Sequence, residues 1–286
     1  MSSDIMTKSC NTEESSRALL YIYDGLVVLL RRAFYAEKHS HHSIQIVISL
    51  ENPFQIECND QTLECSAVVI PPDRPHQVRE SFGWHVTILI EPESLHGRRL
   101  TSELSLTTSA HVLSMDKLEN LLDGYRSQAY IDDVDNEGHW DFIYQHTIKL
   151  LGILSKPIVL TPLDARVKQV MTIIEAEPDS NNVRHLEFPD IPLSKSRLAH
   201  LFVEQTGIPL SKYVLWVRIK RAAEQILAGA SFTETAHQAG FSDLPHLSRT
   251  FKRMFGLTMS NLFQDNERVH LVTSNQRLSG LLQTKK

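Results

Sequence analysis

Residues 231–256, SFTETAHQAGFSDLPHLSRTFKRMFG, decide how this chain is read. Ala236 and Ala239 are small enough to let two helices approach, Gly240 permits a tight turn, and Phe241 anchors whatever follows. That is the chemistry of a helix-turn-helix. Leu247 and Phe251 are four apart and so lie on one helix face. Gly256 follows where a helix ends in a left-handed residue, and Ser242 stands upstream as an N-cap.

The same pattern occurs 49 residues earlier. The shift pairs Leu198 with Leu247, Phe202 with Phe251, Gly207 with Gly256, Ile208 with Leu257 and Ser211 with Ser260. Ser194 is the N-cap candidate of this first copy. Between the copies, Ser211–Leu227 reads as a long helix with broad apolar coverage from Val214, Trp216, Val217, Ile219, Ala223, Ile226 and Leu227, closed by Gly229. A connecting helix of about 19 residues, counted through Gly229, spans roughly 28 Å at 1.5 Å per residue. Two helices entering successive major grooves on one face of duplex DNA need a separation near 34 Å. A helical bundle whose repeat serves packing alone is the competing reading.

These residues carry a family resemblance. Residues 163–265 resemble the DNA-binding domain of the AraC/XylS transcription regulators, through SKSRLAHLFVEQTGIPLSKYVLWVRIKRAAEQIL and SFTETAHQAGFSDLPHLSRTFKRMFGLTMSNLF. The resemblance implies seven helices in two helix-turn-helix units, about 183–204 and 231–255, with recognition helices at about Ser194–Glu204 and Asp243–Phe255. It places Ser196, Ala199 and His200, then Leu244, Pro245, His246 and Arg249, toward base edges. Arg249 is suited to guanine because its guanidinium grips O6 and N7 together. His200 is its partner in the repeat. Lys195, Arg197, Lys252 and Arg253 fall where phosphate contacts set register. One departure stands out: the first scaffold helix falls on HLEFPDIPL, where Pro189 and Pro192 cannot occupy a helix interior, so it must be short or irregular.

Working outward, residues 43–90 hold short apolar runs, IQIVISL, FQIEC, AVVI and WHVTILI. Turn chemistry at Glu51–Pro53, Asn59–Asp60 and Pro71–Pro75 separates them, as in a sandwich or small barrel. Asp116–Gln128 and Trp140–Leu154 have helical periodicity. The expected organisation is a sensing domain over 1–155, a proline-flanked linker over 156–162, the DNA-binding domain over 163–265 and a tail over 266–286. The fold class is α+β in two domains, with an all-β cupin-like barrel plus helices before an all-α double helix-turn-helix domain.

The barrel reading rests on a second resemblance, to the cupin-like sensing domains common in this family, carried by HSHHSIQIVISL and AVVIPPDRPHQV. His39, His41 and His76 sit where metal-binding cupins place three histidines, with Gln45 near their usual carboxylate. Three imidazoles suit a divalent metal. The same side chains equally suit the lining of an effector pocket, or histidines with no ligand role.

Composition sets the remaining bounds. The net charge of −5 conceals an asymmetry: residues 1–160 carry 13 Lys+Arg against 22 Asp+Glu, whereas residues 182–265 carry 10 against 7. The halves therefore face different partners. Cys10, Cys58 and Cys65 form no CxxC pair and no disulfide framework, which fits a cytoplasmic protein. The N-terminal residues are polar, without the apolar core of a signal peptide, and Leu26–Leu30 and Leu150–Leu154 are too short to span a membrane. The expected partners are double-stranded DNA, a small-molecule effector and RNA polymerase. The apolar stripes Leu118–Leu122 and Phe142–Leu154 suit either a homodimer or packing on the barrel. No cofactor is required, the histidine site for a divalent metal aside, and no enzyme is expected, since Ser/His/Asp order, HExxH and Gly-rich phosphate loops are absent. The alternative is a metal-dependent cupin enzyme carrying a DNA-binding domain.

Overall fold

The computed structural model describes residues 18–106, 109–129, 137–156, 159–263 and 269–272. Chain order begins with β1 (Ala18–Tyr23), β2 (Leu26–His39), β3 (Ile44–Ser49), β4 (Phe54–Cys58), β5 (Gln61–Cys65), β6 (Ala67–Ile70) and β7 (His76–Ile90). Next come α1 (Leu95–Leu104), β8 (His111–Val112), a 3-10 turn (Met115–Lys117), α2 (Glu119–Ala129) and α3 (Glu137–Leu154). The C-terminal region contains α4 (Ala165–Ala176), α5 (Asn181–His185), α6 (Lys195–Thr206), α7 (Leu210–Leu227), α8 (Phe232–Gln238), α9 (Leu244–Phe255) and α10 (Met259–Phe263). Strand β9 (Val269–Val272) follows.

The N-terminal strands form a sheet in the order β8-β6-β3-β7-β2-β1-β9, with the β4–β5 hairpin attached through β7. Strand alternation sends Leu19, Val28, Ile46, Val69 and Ile88 to one face. There they meet Leu100 of α1, Leu122 and Tyr125 of α2, and Ile143 and Leu150 of α3. Val47, Val68, Ile70 and Val78 point the other way, onto Phe54 and Ile56 of the hairpin. Both faces are thus covered, which explains why every residue of β3 and β6 is buried. The Leu118–Leu122 stripe and the helix that follows pack on this sheet.

The sheet is not the closed barrel expected from the sequence: its end strands β8 and β9 do not pair with each other. The reason lies in two long strands. β2 pairs with β7 over almost its whole length, but the register slips between Arg32 and Phe34, Phe34 and Ala36, and Ala36 and His39. Such bulges bend and twist a strand. They swing the far ends of β2 and β7 toward β4, which pairs with β7 at Val78–His76. The helices fill the opposite side.

In the C-terminal region, the two copies of the Leu-x3-Phe repeat occupy equivalent cores. Leu198 and Phe202 pack with Val167, Val170 and Ile174 of α4 and with Val214 and Val217 of α7. Leu247 and Phe251 pack with Ala236, Ala239 and Phe241 and with Ile219, Ala222 and Ile226 of α7. Helix α7 therefore spends its first half on one unit and its second half on the other. Among the described residues no helix is long and apolar enough to cross a membrane.

Candidate nucleic-acid interface

The second unit is built from α8 and α9. Ser231 caps α8 by accepting the Glu234 N–H at 3.2 Å. The chain then turns at Gly240, whose φ of +79° is in the left-handed region; a Cβ there would lie 2.9 Å from Asp179 Cβ and 3.0 Å from Arg218 Nε. Backbone freedom and close approach both require glycine at this corner. The cap of α9 is Asp243 and not Ser242: Asp243 Oδ1 accepts the His246 N–H at 2.6 Å. Ser242 donates to the Asp243 carboxylate at 3.0 Å and sits 3.2 Å from His246 Nδ1. A carboxylate suits this position better than a hydroxyl, because it also meets the positive end of the helix dipole. The capping N–H holds the Asp243 carboxyl below the usual range, helped by Ser242 and Arg249.

With Leu247 and Phe251 anchoring its back, α9 presents Pro245 and Arg249 to solvent. Leu244 is half-buried against the unit's core. His246 lies edge-on to Phe241, with ring centroids 5.2 Å apart, so its ring also braces the turn.

The first unit shares the plan with a weaker support. Helix α5 is five residues long and ends in a left-handed Leu186. A nine-residue stretch containing Pro189 and Pro192 leads to α6, against five residues between α8 and α9. Ser194 caps α6 by accepting the Arg197 N–H at 3.3 Å. Ser196, Arg197 and His200 are exposed, Ala199 is half-exposed, and Lys195 donates to the His185 carbonyl at 2.6 Å, tying α6 to α5.

Comparison with known proteins bears on this geometry. Residues 191–265 match the model of a helix-turn-helix domain family. The chain is 25% identical over 149 residues to the transcriptional activator RhrA of Rhizobium meliloti, covering 50% of this chain and 48% of RhrA. It is 31% identical over 121 residues to the Msm operon regulatory protein of Streptococcus mutans, covering 39% and 43% respectively. Residues 191–265 form an AraC-type helix-turn-helix domain. The chain thus spans about half the length of the curated relatives it matches. Among solved structures, ToxT of Vibrio cholerae overlays on 83% of this chain and 96% of its own, at 12% identity and a TM-score of 0.48.

The AraC-type domain is seated on the N-terminal sheet through its second recognition helix. The Glu37 N–H donates to Gly256 O at 3.0 Å, and the Ser40 N–H to Arg253 O at 3.4 Å. Lys252 Nζ lies 3.0 Å from the Glu37 carboxylate. A Cβ on Gly256 (φ +69°) would run into the Glu37 carbonyl and lie 2.7 Å from His39 Nδ1. Of the four cations expected at phosphates, Lys195 and Lys252 thus hold partners in the fold, while Arg197 and Arg253 project into solvent.

A second tether joins Lys220 of α7 to Glu91 at the end of β7. Burial pulls the ammonium pKa down, but Glu91 and the neighbouring carboxylates Glu175 and Glu93 outweigh it, so Lys220 stays charged. Between these tethers lies a cavity of about 1160 Å³. Leu20, Ile22 and Leu29 line it from the strand face turned away from α1–α3, and Trp216, Lys220 and Phe255 from the AraC-type domain. Sequence reading misses Glu37, Glu91 and Lys220 because they meet only in three dimensions.

The structure brings together the four side chains expected of the sensing site. His39, His41 and His76 are buried, and each offers a ring nitrogen within 4.8 Å of the others. Gln45 Oε1 lies 2.7 Å from His41 Nε2 and 3.2 Å from His76 Nε2. Burial and the neighbouring rings depress all three imidazoles, His39 to about 3.

Proposed function

We propose that this chain is a sequence-specific DNA-binding transcription regulator, controlled by a small molecule held against its N-terminal domain. The observation that carries the first part is α9. Its cap and back are fixed by Asp243, Phe241, Leu247 and Phe251, and its solvent face offers Pro245 and Arg249 at the start of the helix. Helix N-terminal residues reach base edges when such a helix enters the major groove. Arg249 is assigned to a guanine, and His246, Ser196 and His200 to secondary contacts. Lys195, Arg197, Lys252 and Arg253 are assigned to the backbone. The two relatives, a transcriptional activator and an operon regulatory protein, favour the same reading.

The cavity supports the second part. A ligand there touches the sheet and α7 and α9 at once, so its binding energy differs between arrangements of the two domains, as coupling requires. Its walls are mainly aliphatic and aromatic, which favours a largely apolar molecule with few polar groups.

The test is selection of duplexes from a random library by the full chain at one fixed salt concentration, since affinity depends on salt. The expected result is enrichment of one motif in two parts, about one helical turn apart. Binding of the library without enrichment would leave a general DNA-binding protein and overturn this reading.

A further inference from the structure

We propose that His246 reads an amino base, cytosine before adenine, through a lone pair on Nε2, and that Ser242 and Asp243 impose this choice by holding the ring's proton on Nδ1. The inference rests on the regulator reading and names the chemistry of a contact that the reading leaves open.

Hydrogens can be counted along the start of α9. Asp243 Oδ1 accepts the capping N–H of His246 at 2.6 Å, and Oδ2 accepts the Ser242 hydroxyl at 3.0 Å. These bonds hold the carboxyl below the usual carboxylate range, so it stays ionised and donates nothing back. A serine hydroxyl has one hydrogen, and here Asp243 takes it. Toward His246 Nδ1, 3.2 Å away, Ser242 Oγ can then only accept. Nδ1 therefore carries the proton, and in a neutral imidazole the other nitrogen is left as an acceptor. The ring is held at a second point by its edge-on contact with Phe241, at 5.2 Å between centroids. Nε2 has no partner among the described residues and is open to solvent.

The base edges of the major groove divide on the same chemistry. Cytosine N4 and adenine N6 offer hydrogens, whereas guanine O6 and N7 and thymine O4 only accept. An Nε2 lone pair thus meets a donor on an amino base and another lone pair on a keto base. Cytosine comes first because adenine sets its N7 acceptor beside N6, facing the same nitrogen. Each base pair holds one amino and one keto base, so His246 chiefly decides which strand carries the amino base. His246 is the third residue of α9, in the part of a recognition helix that reaches base edges. Arg249, three residues on and so on the same helix face, has the opposite chemistry, because a guanidinium only donates. Acceptor and donor therefore stand side by side where the helix enters the groove.

The experiment uses the full chain and the motif it selects from a random duplex library, with each position varied through all four bases at one fixed salt concentration. His246→Ala should relax one position. There the wild-type chain should prefer cytosine or adenine over guanine or thymine by about two- to tenfold, the factor for one net hydrogen bond. Ser242→Ala keeps the Asp243 cap but frees the ring to carry its proton on Nε2. The preference at that position should vanish, while the base read by Arg249 and the unfolding midpoint hold; a merely structural role would weaken every position together. Ser242→Thr, which retains the hydroxyl, should restore the preference. Asp243→Asn still caps through its amide oxygen but sets an N–H where Oδ2 stood. Ser242 then turns its hydrogen toward Nδ1, Nε2 becomes the donor, and the preference should reverse toward guanine. Nitrogen-15 spectra of the imidazoles without DNA, at about pH 8 where an ordinary imidazole is neutral, should show His246 protonated at Nδ1, with its signal assigned by loss in His246→Ala. An Nε2–H form in the free chain overturns the relay. A selected motif in which no position depends on His246, or in which that position favours guanine or thymine, overturns this inference and leaves the regulator reading standing. Selection of no motif at all removes both.

Discussion

Gly207 and Gly256 are 49 residues apart, close the two recognition helices in the same left-handed conformation (φ +78° and +69°), and differ only in what surrounds them. Replacing each by alanine separates backbone strain from domain docking. The strain, about 1–2 kcal/mol for a left-handed alanine, is common to both. At Gly207 the new Cβ meets nothing within 4 Å; at Gly256 it meets the Glu37 carbonyl and His39 Nδ1. To avoid them the end of α9 must lift, losing the hydrogen bonds to Gly256 O and Arg253 O and the Lys252–Glu37 pair. The two hydrogen bonds contribute about 0.5–1.5 kcal/mol each and the exposed pair about 0–1, so Gly256→Ala should cost about 1–4 kcal/mol more than Gly207→Ala. Urea unfolding of the full chain gives the difference. Amide exchange gives the location, which matters because a two-domain chain need not unfold in one step. The Glu37 and Ser40 amides should open in Gly256→Ala and stay protected in Gly207→Ala. Equal unfolding midpoints, with both amides protected in both variants, would refute the docking argument.

Three further outcomes follow from the same geometry. Glu91→Gln removes the carboxylate hydrogen-bonded to the Lys220 ammonium and should destabilise the full chain by about 1.5–3 kcal/mol, the range for a charge-assisted hydrogen bond; a change below about 0.5 kcal/mol, typical of surface positions, would mean that Glu175 and Glu93 already serve Lys220. A fragment starting near Thr161 should fold alone and shift duplex DNA, because the helical cores of the two units are built from residues 167–263; an unfolded fragment contradicts this. Ser196→Ala with His200→Ala should lose less base discrimination than His246→Ala with Arg249→Ala, since the five-residue α5 supports α6 over a longer proline-containing turn; equal losses across a half-site library dismiss that ranking.

Much of this is legible in the sequence, for physical reasons that also mark its limits. The 49-residue repeat locates both recognition helices because Leu-x3-Phe, a cap and a C-terminal glycine are local signals, each set by contacts within a dozen residues. The cap of α9 falls one position beyond the expected Ser242, at Asp243, since both types cap helices and only the turn at Gly240 decides between them. Strands β1 and β2 are absent from the sequence expectation, although Asp24–Gly25 between ALLYIY and LVVLL is a two-residue hairpin turn with φ +67° at the glycine. Closure of the barrel is expected and does not occur, because bulges within β2 depend on its partner strands and leave no pattern in one segment. The four residues of the histidine site follow from HSHHSIQIVISL and AVVIPPDRPHQV, and they do converge. Gly256, more than 200 residues beyond its neighbour His39, is legible only as a helix end; nothing local announces that it also seats the helix on the sheet.

The central claim is that α9 reads sequence, and Arg249→Ala tests it most directly. Wild-type and variant chains are titrated at one salt concentration with the selected duplex and with random duplex. If Arg249 grips a guanine, the variant should lose about 1–3 kcal/mol on the selected site, relax preference at one base pair, and bind random DNA almost as before. Equal losses on both duplexes would make Arg249 a phosphate contact and contradict the assignment of base reading to this helix.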